Sequence, residues 1–92
     1  MTALERVEKE LRRYEHALVE FSAREGPDGG VELLISLRHP LPGAHTYRAP
    51  LHPRDIHSEQ FSWSFQRHLY DCLHDYLVEL FVRTPQSPEP QP

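Results

Sequence analysis

The chain has 92 residues, enough for one domain with a modest core but short of the length that leaves room for a deep substrate cavity as well. Its 38% apolar and 26% charged residues are proportions of a folded chain rather than a disordered one. The net charge is −4, lysine occurs once (Lys9), and in the C-terminal part Arg67 and Arg83 are set against Glu59, Asp71, Asp75, Glu79 and Glu89. Nucleic acid is therefore disfavoured as a partner, because phosphate neutralisation calls for a basic face.

A single cysteine, Cys72, cannot close an internal disulfide, which argues against a secreted, bridged scaffold. The opening Met1-Thr2-Ala3-Leu4-Glu5-Arg6 turns charged at once, unlike a signal peptide, and no apolar run approaches the ~20 residues of a membrane span. The expectation is a cytoplasmic protein with no membrane partner.

The first element is a helix. Leu4, Val7, Leu11, Tyr14, Leu18 and Phe21 recur at spacings of three and four, the stripe of one helical face. Thr2 and Glu5 have the spacing of a capping box, and Glu5/Lys9 and Glu8/Arg12 are i,i+4 pairs suited to a solvated outer face. The end of this helix is ambiguous between Ala17 and Arg24. From Val19 the chain also alternates, with Val19, Phe21 and Ala23 on one side and Glu20, Ser22 and Arg24 on the other, the pattern of a half-buried strand. Leu18 and Phe21 fit either element.

Glu25-Gly26-Pro27-Asp28-Gly29-Gly30 is a dense turn signal. Val31, Leu33, Ile35 and Leu37 then alternate with Glu32, Leu34, Ser36 and Arg38 as a strand, so a hairpin of 18–25 with 31–38 is the preferred reading. Pro40, Pro42 and Gly43 form the next connection, and 45–51 is a further strand that Pro50 keeps short or at an edge. Asp55 or Ser58 can cap the last helix, expected over about 58–82. That helix carries two apolar stripes: Phe61, Phe65, Leu69, Leu73 or Cys72, Tyr76 and Leu80 in one, Trp63, Tyr70, Leu77 and Phe81 in the other. Packing on a sheet uses one stripe. The second is expected to be covered by the first helix, by another chain, or by both.

The fold expected is a two-layer α+β domain over residues 1–83, α-β-β-β-α or, with a longer first helix, α-β-β-α. Two helices would cover one face of a small antiparallel sheet, and 84–92 would be a disordered proline-rich tail.

Two clusters invite chemistry. Arg38, His39, His45, Arg48, His52, Arg54 and His57 fall within one short span and could form an anion- or ligand-binding rim; their irregular spacing lacks the Cys-x-x-Cys or His-Glu-x-x-His of a metal site. His68, Asp71, Cys72 and Asp75 share a helical face, where His68 could activate the Cys72 thiol, although Cys72 also fits the apolar stripe. Neither Gly-x-Ser-x-Gly nor a phosphate-binding Gly-Lys-Ser/Thr loop is present, so no catalytic residue, cofactor or metal is assigned.

The order α-β-β-β-α with Glu25-Gly26-Pro27-Asp28 at the first hairpin is similar, over residues 3–82, to that of double-stranded-RNA-binding domains. The resemblance implies contacts to the RNA minor groove and phosphates. The lysine-rich opening of that family's last helix is replaced here by Ser58-Glu59-Gln60-Phe61-Ser62-Trp63, with no cation before Arg67. Binding of RNA by that surface is not expected. The function expected instead is that of a non-enzymatic interaction or regulatory module, forming a homodimer or joining a protein partner through Trp63, Tyr70, Leu77 and Phe81. A small ligand-, anion- or metal-binding protein using 38–57 is the alternative.

Overall fold

The computed structural model describes residues 1–83. The tail expected over 84–92 lies outside them.

Helix α1 (Ala3–Leu11) opens on the capping box. The Glu5 N–H donates to Thr2 Oγ1 at 3.1 Å, and the Thr2 N–H donates to Glu5 Oε1 at 2.8 Å. Two of the free amides at the helix start are thereby satisfied. Val7 and Leu11 turn into the core.

Helix α1 ends at Leu11, earlier than either end point read from the sequence, so Tyr14 and Leu18 are not on it. The last turn tightens, with Arg13 N–H donating to Glu10 C=O and Tyr14 N–H to Leu11 C=O. The reason lies further along the chain. Arg38 donates its Nε–H to His16 C=O at 2.8 Å and its backbone N–H to Leu18 C=O at 2.9 Å, which ties the bend at Ala17 and Leu18 to Arg38 just ahead of the strand pairing.

Strands β1 (Val19–Glu25) and β2 (Val31–Leu37) form the hairpin, with Val19 opposite Leu37 and Glu25 opposite Val31. A short 3-10 turn, Pro27–Gly29, joins them. Asp28 and Gly29 take φ of 56° and 77°, the left-handed region that glycine adopts at no steric cost and aspartate tolerates. Strand β3 (Tyr47–Leu51) pairs antiparallel with β2, Leu33 opposite Ala49, giving the order β1-β2-β3. It starts two residues later than the sequence suggested, because His45 is drawn toward the last helix.

A four-residue helix α2 (Pro53–Ile56), not anticipated from the sequence, precedes helix α3 (Phe61–Arg83). Its cap is the His52 imidazole, whose Nδ1 accepts from Arg54 N–H at 3.0 Å. Ser58 Oγ accepts from Gln60 N–H at 3.1 Å, so the long helix starts at Phe61 rather than Ser58.

The domain is α+β, a three-stranded antiparallel sheet with helices on one face. Val19, Val31, Leu33, Ile35, Ala49 and Leu51 meet Val7 and Leu11 of α1, Ile56 of α2, and Phe61, Phe65, Leu69, Cys72, Leu73 and Tyr76 of α3 in one core. The opposite sheet face presents Glu20, Ser22, Arg24, Glu32 and Arg48 by strand alternation.

Candidate functional site

The second apolar stripe of α3 is uncovered. At 100° per residue Trp63, Tyr70, Leu77 and Phe81 fall within roughly 40° of one another, on the side of the helix away from its core residues. Trp63 is 66% exposed, Tyr70 53%, Leu77 37% and Phe81 70%. Short α1 does not reach this side. Tyr14, beyond the end of α1, touches its N-terminal half: the ring meets Tyr70 edge-on at 6.2 Å and tilts against Phe65 at the same distance.

Toward its C-terminal end the stripe opens into an apolar groove of about 350 Å³, lined by Leu18, Leu37, Leu41, Leu77, Leu80 and Phe81, with His39 at the rim. Leu18 reaches the groove because it sits on the connection before β1, and Leu41 because the β2–β3 connection folds toward α3. The 23 residues of α3 extend ~34 Å, whereas the seven residues of β2 extend ~23 Å, so the helix outruns the sheet it covers. Val78 and Val82, also exposed, continue the apolar surface.

The β2–β3 connection is fastened to α3 by polar contacts. His45 Nε2 lies 2.6 Å from Glu79 Oε1, Tyr76 O–H donates to His45 C=O at 2.6 Å, and the His45 and Tyr76 rings meet edge-on at 5.2 Å. His45 Nδ1 is buried without a partner, so the tautomer carrying its proton on Nε2 is the one that leaves no orphan N–H.

The Arg/His span does not converge. Arg38, His39 and His45 lie at one end of the sheet, Arg48 on its open face, and His52, Arg54 and His57 around α2 at the other end. Arg38 is engaged by His16 C=O and Glu20, His45 by Glu79, and His52 caps α2. Among the described residues no three His, Cys, Asp or Glu side chains are grouped to hold a metal ion.

On α3, His68 Nε2 approaches Cys72 Sγ at 3.6 Å, as the i,i+4 spacing requires. The thiol is buried in the core, and burial raises its pKa above the ordinary value, with Asp75 and Asp71 adding to the rise against a lowering contact from Tyr47. That is the opposite of the activation a thiolate nucleophile needs. Asp71 and Asp75 are exposed at the edge of the stripe. No helix among the described residues is long and apolar enough to cross a membrane.

Two features of the structure are not read from the sequence. The groove is one, because Leu18, Leu41 and Leu77 come from three separate segments. The buried carboxylate of Glu10 is the other: Ser62 Oγ–H donates to its Oε2 at 2.5 Å, tying α1 to the start of α3.

Comparison with family models, with curated proteins and with solved structures gives no match for this chain. The element order α-β-β-β-α expected from the sequence is interrupted by α2, and α3 begins without a cation until Arg67.

Proposed function

We propose that the chain is a non-enzymatic interaction module of the cytoplasm that associates with a second copy through the exposed face of α3. The observation that carries this reading is the row Trp63, Tyr70, Leu77 and Phe81 on one helix face, interrupted by Arg67 and His74, aromatic at three of four positions and left in water. Exposed aromatic rings each present ~150–250 Å² when fully free, so the three here expose on the order of 400 Å². That is about half of the ~800 Å² each partner contributes to an interface of standard size. Leu77, Val78, Val82, Leu18 and Leu41 extend the patch. A patch of this extent is in the range of the largest that a monomer exposes, and such patches are often functional. Aromatic anchors beside an apolar groove are also the usual composition of an interface centre.

Light scattering behind a sizing column at several concentrations tests the reading. The expected mass exceeds that of one chain, and Trp63→Asp lowers it while leaving the circular dichroism spectrum that of the folded chain; Tyr70→Asp lowers it too and also loses the Tyr14 contact. Masses unchanged by either substitution, or a single-chain mass at every concentration, would remove the basis for this reading.

A further inference from the structure

We infer that the free edge of β1 is a second self-association surface, pairing antiparallel with β1 of another copy about a two-fold axis at Ser22. The inference goes beyond the α3 face and rests on different residues.

The first support is the unequal protection of the two sheet edges. Exposed edges invite pairing with other chains, and proteins blunt them with proline, charge or brevity. Strand β3 has five residues and carries Pro50. Its partner register puts Tyr47, Ala49 and Leu51 opposite the β2 residues that bond it, so Pro50 removes a donor from the open side. Strand β1 has seven residues and no proline, and its charges, Glu20, Arg24 and Glu25, are of both signs.

The second support is the phase of the free backbone groups. Leu18 C=O accepts from Arg38 N–H and Gly26 N–H donates to Gly30 C=O, one at each end of β1. Even-numbered residues therefore face β2, and Val19, Phe21, Ala23 and Glu25 direct their N–H and C=O groups outward. Antiparallel pairing about Ser22 sets Phe21 against Ala23 of the second copy and Val19 against its Glu25. All four outward positions of each strand then meet outward positions of the other.

The third support is charge. The same register places Glu20 opposite Arg24 of the second copy, in the closely spaced non-hydrogen-bonded pairs where side chains approach most nearly. Both lie on the open sheet face with the outer parts of their side chains free, Glu20 59% and Arg24 54% exposed. Within the chain Glu20 already faces Arg38 at 3.7 Å and Arg24 bonds Glu32 at 2.7 Å. The joined sheets would carry Arg38, Glu20, then Arg24 and Glu32 of the second copy, in alternating sign. On the helix-covered face the large Phe21 meets the small Ala23. A depression of about 470 Å³ lies between this edge and Glu8, Leu11 and Arg12. Registers shifted by two residues oppose Glu20 to Ser22, or Arg24 to Ser22, and lose the charge pairing.

The experiment uses the full chain with Cys72→Ala. Ser22→Cys places two thiols across the axis, and non-hydrogen-bonded pairs have Cα atoms ~4.5 Å apart, within disulfide range. Ser36→Cys, on the central strand, is the control. Under mild oxidation Ser22→Cys should form covalent dimer about tenfold or more faster than Ser36→Cys, reflecting the effective concentration of a preformed pair. Arg24→Glu or Glu20→Arg should slow it, and the two together should restore it. Trp63→Asp should leave the rate unchanged, which separates this surface from the α3 face. Equal rates at Ser22→Cys and Ser36→Cys overturn the inference, as does a Ser22→Cys rate indifferent to both single charge reversals.

Discussion

Tyr76 donates its hydroxyl hydrogen to the His45 carbonyl at 2.6 Å, joining the core stripe of α3 to the connection between β2 and β3. Tyr76 is fully buried, so the carbonyl it serves has its partner inside the protein. Replacing Tyr76 by Phe keeps the ring and withdraws the donor. The expected cost is ~1–3 kcal/mol, that of an acceptor left without its partner, read as a lower urea midpoint at unchanged slope.

The Glu10–Ser62 contact holds the C-terminal end of α1 against the first turn of α3. Ser62→Ala leaves a buried carboxylate oxygen with one donor fewer. The expected loss is about 1.5–3 kcal/mol, typical of a hydrogen bond to a charged group, and calorimetry should show it as a lowered Tm. Arg13 approaches the other oxygen of Glu10 at 3.5 Å from a mostly exposed position, so Arg13→Ala should cost less.

Gly30 and Gly26 separate sterics from flexibility at the hairpin turn. A Cβ on Gly30 would lie 2.8 Å from Leu51 C=O, whereas one on Gly26 would meet nothing nearer than 3.5 Å. Gly30→Ala should therefore destabilise by about 1–3 kcal/mol as overpacking, shifting β3 against β2. Gly26→Ala should be close to neutral in the same thermal melt.

Burial pushes the Tyr47 hydroxyl up to about 12 and raises the Tyr14, Tyr76 and Cys72 groups in the same direction. All four are neutral when protonated, so the folded chain holds its protons more tightly than the unfolded one. Their contribution is complete below the unfolded values, ~8.5 for the thiol and ~10 for the phenols, and is lost as pH rises through the folded values. Urea midpoints should be flat from pH 7 to about 8.5 and fall progressively toward pH 12. Tyrosinate absorbance should develop for Tyr47 only near the upper end. Cys72 should react with a thiol reagent at neutral pH only after urea is added.

The contrast between Thr2 and His45 shows how far the sequence reaches. Thr2 was legible as a cap because its partner, Glu5, is three residues away and the motif needs nothing else. The alternation of β2, the turn at 25–30 and the core stripe of α3 were legible for the same reason, being periodicities within a few residues. Nearness in sequence groups His45 with Arg38, Arg48, His52, Arg54 and His57. The sheet separates them, since a strand carries successive side chains to opposite faces and moves along by ~3.3 Å per residue.

The exposed stripe of α3 sits between these cases. Trp63, Tyr70, Leu77 and Phe81 were recognisable as one face from spacing alone, but whether α1 covered them depended on where α1 stopped. Periodicity was silent there, because Leu18 and Phe21 satisfy helix and strand alike.

By itself, then, the sequence determined the elements whose signals are local: a capped first helix, a hairpin around 25–30 and a long last helix with two apolar stripes. Tertiary structure decided the end of α1 at Leu11, the uncovered face of α3 and the open edge of β1. Backbone groups at 16–18 meet partners on Arg38, some twenty residues on, and that distant pairing outweighs the preference of the intervening residues to continue as helix.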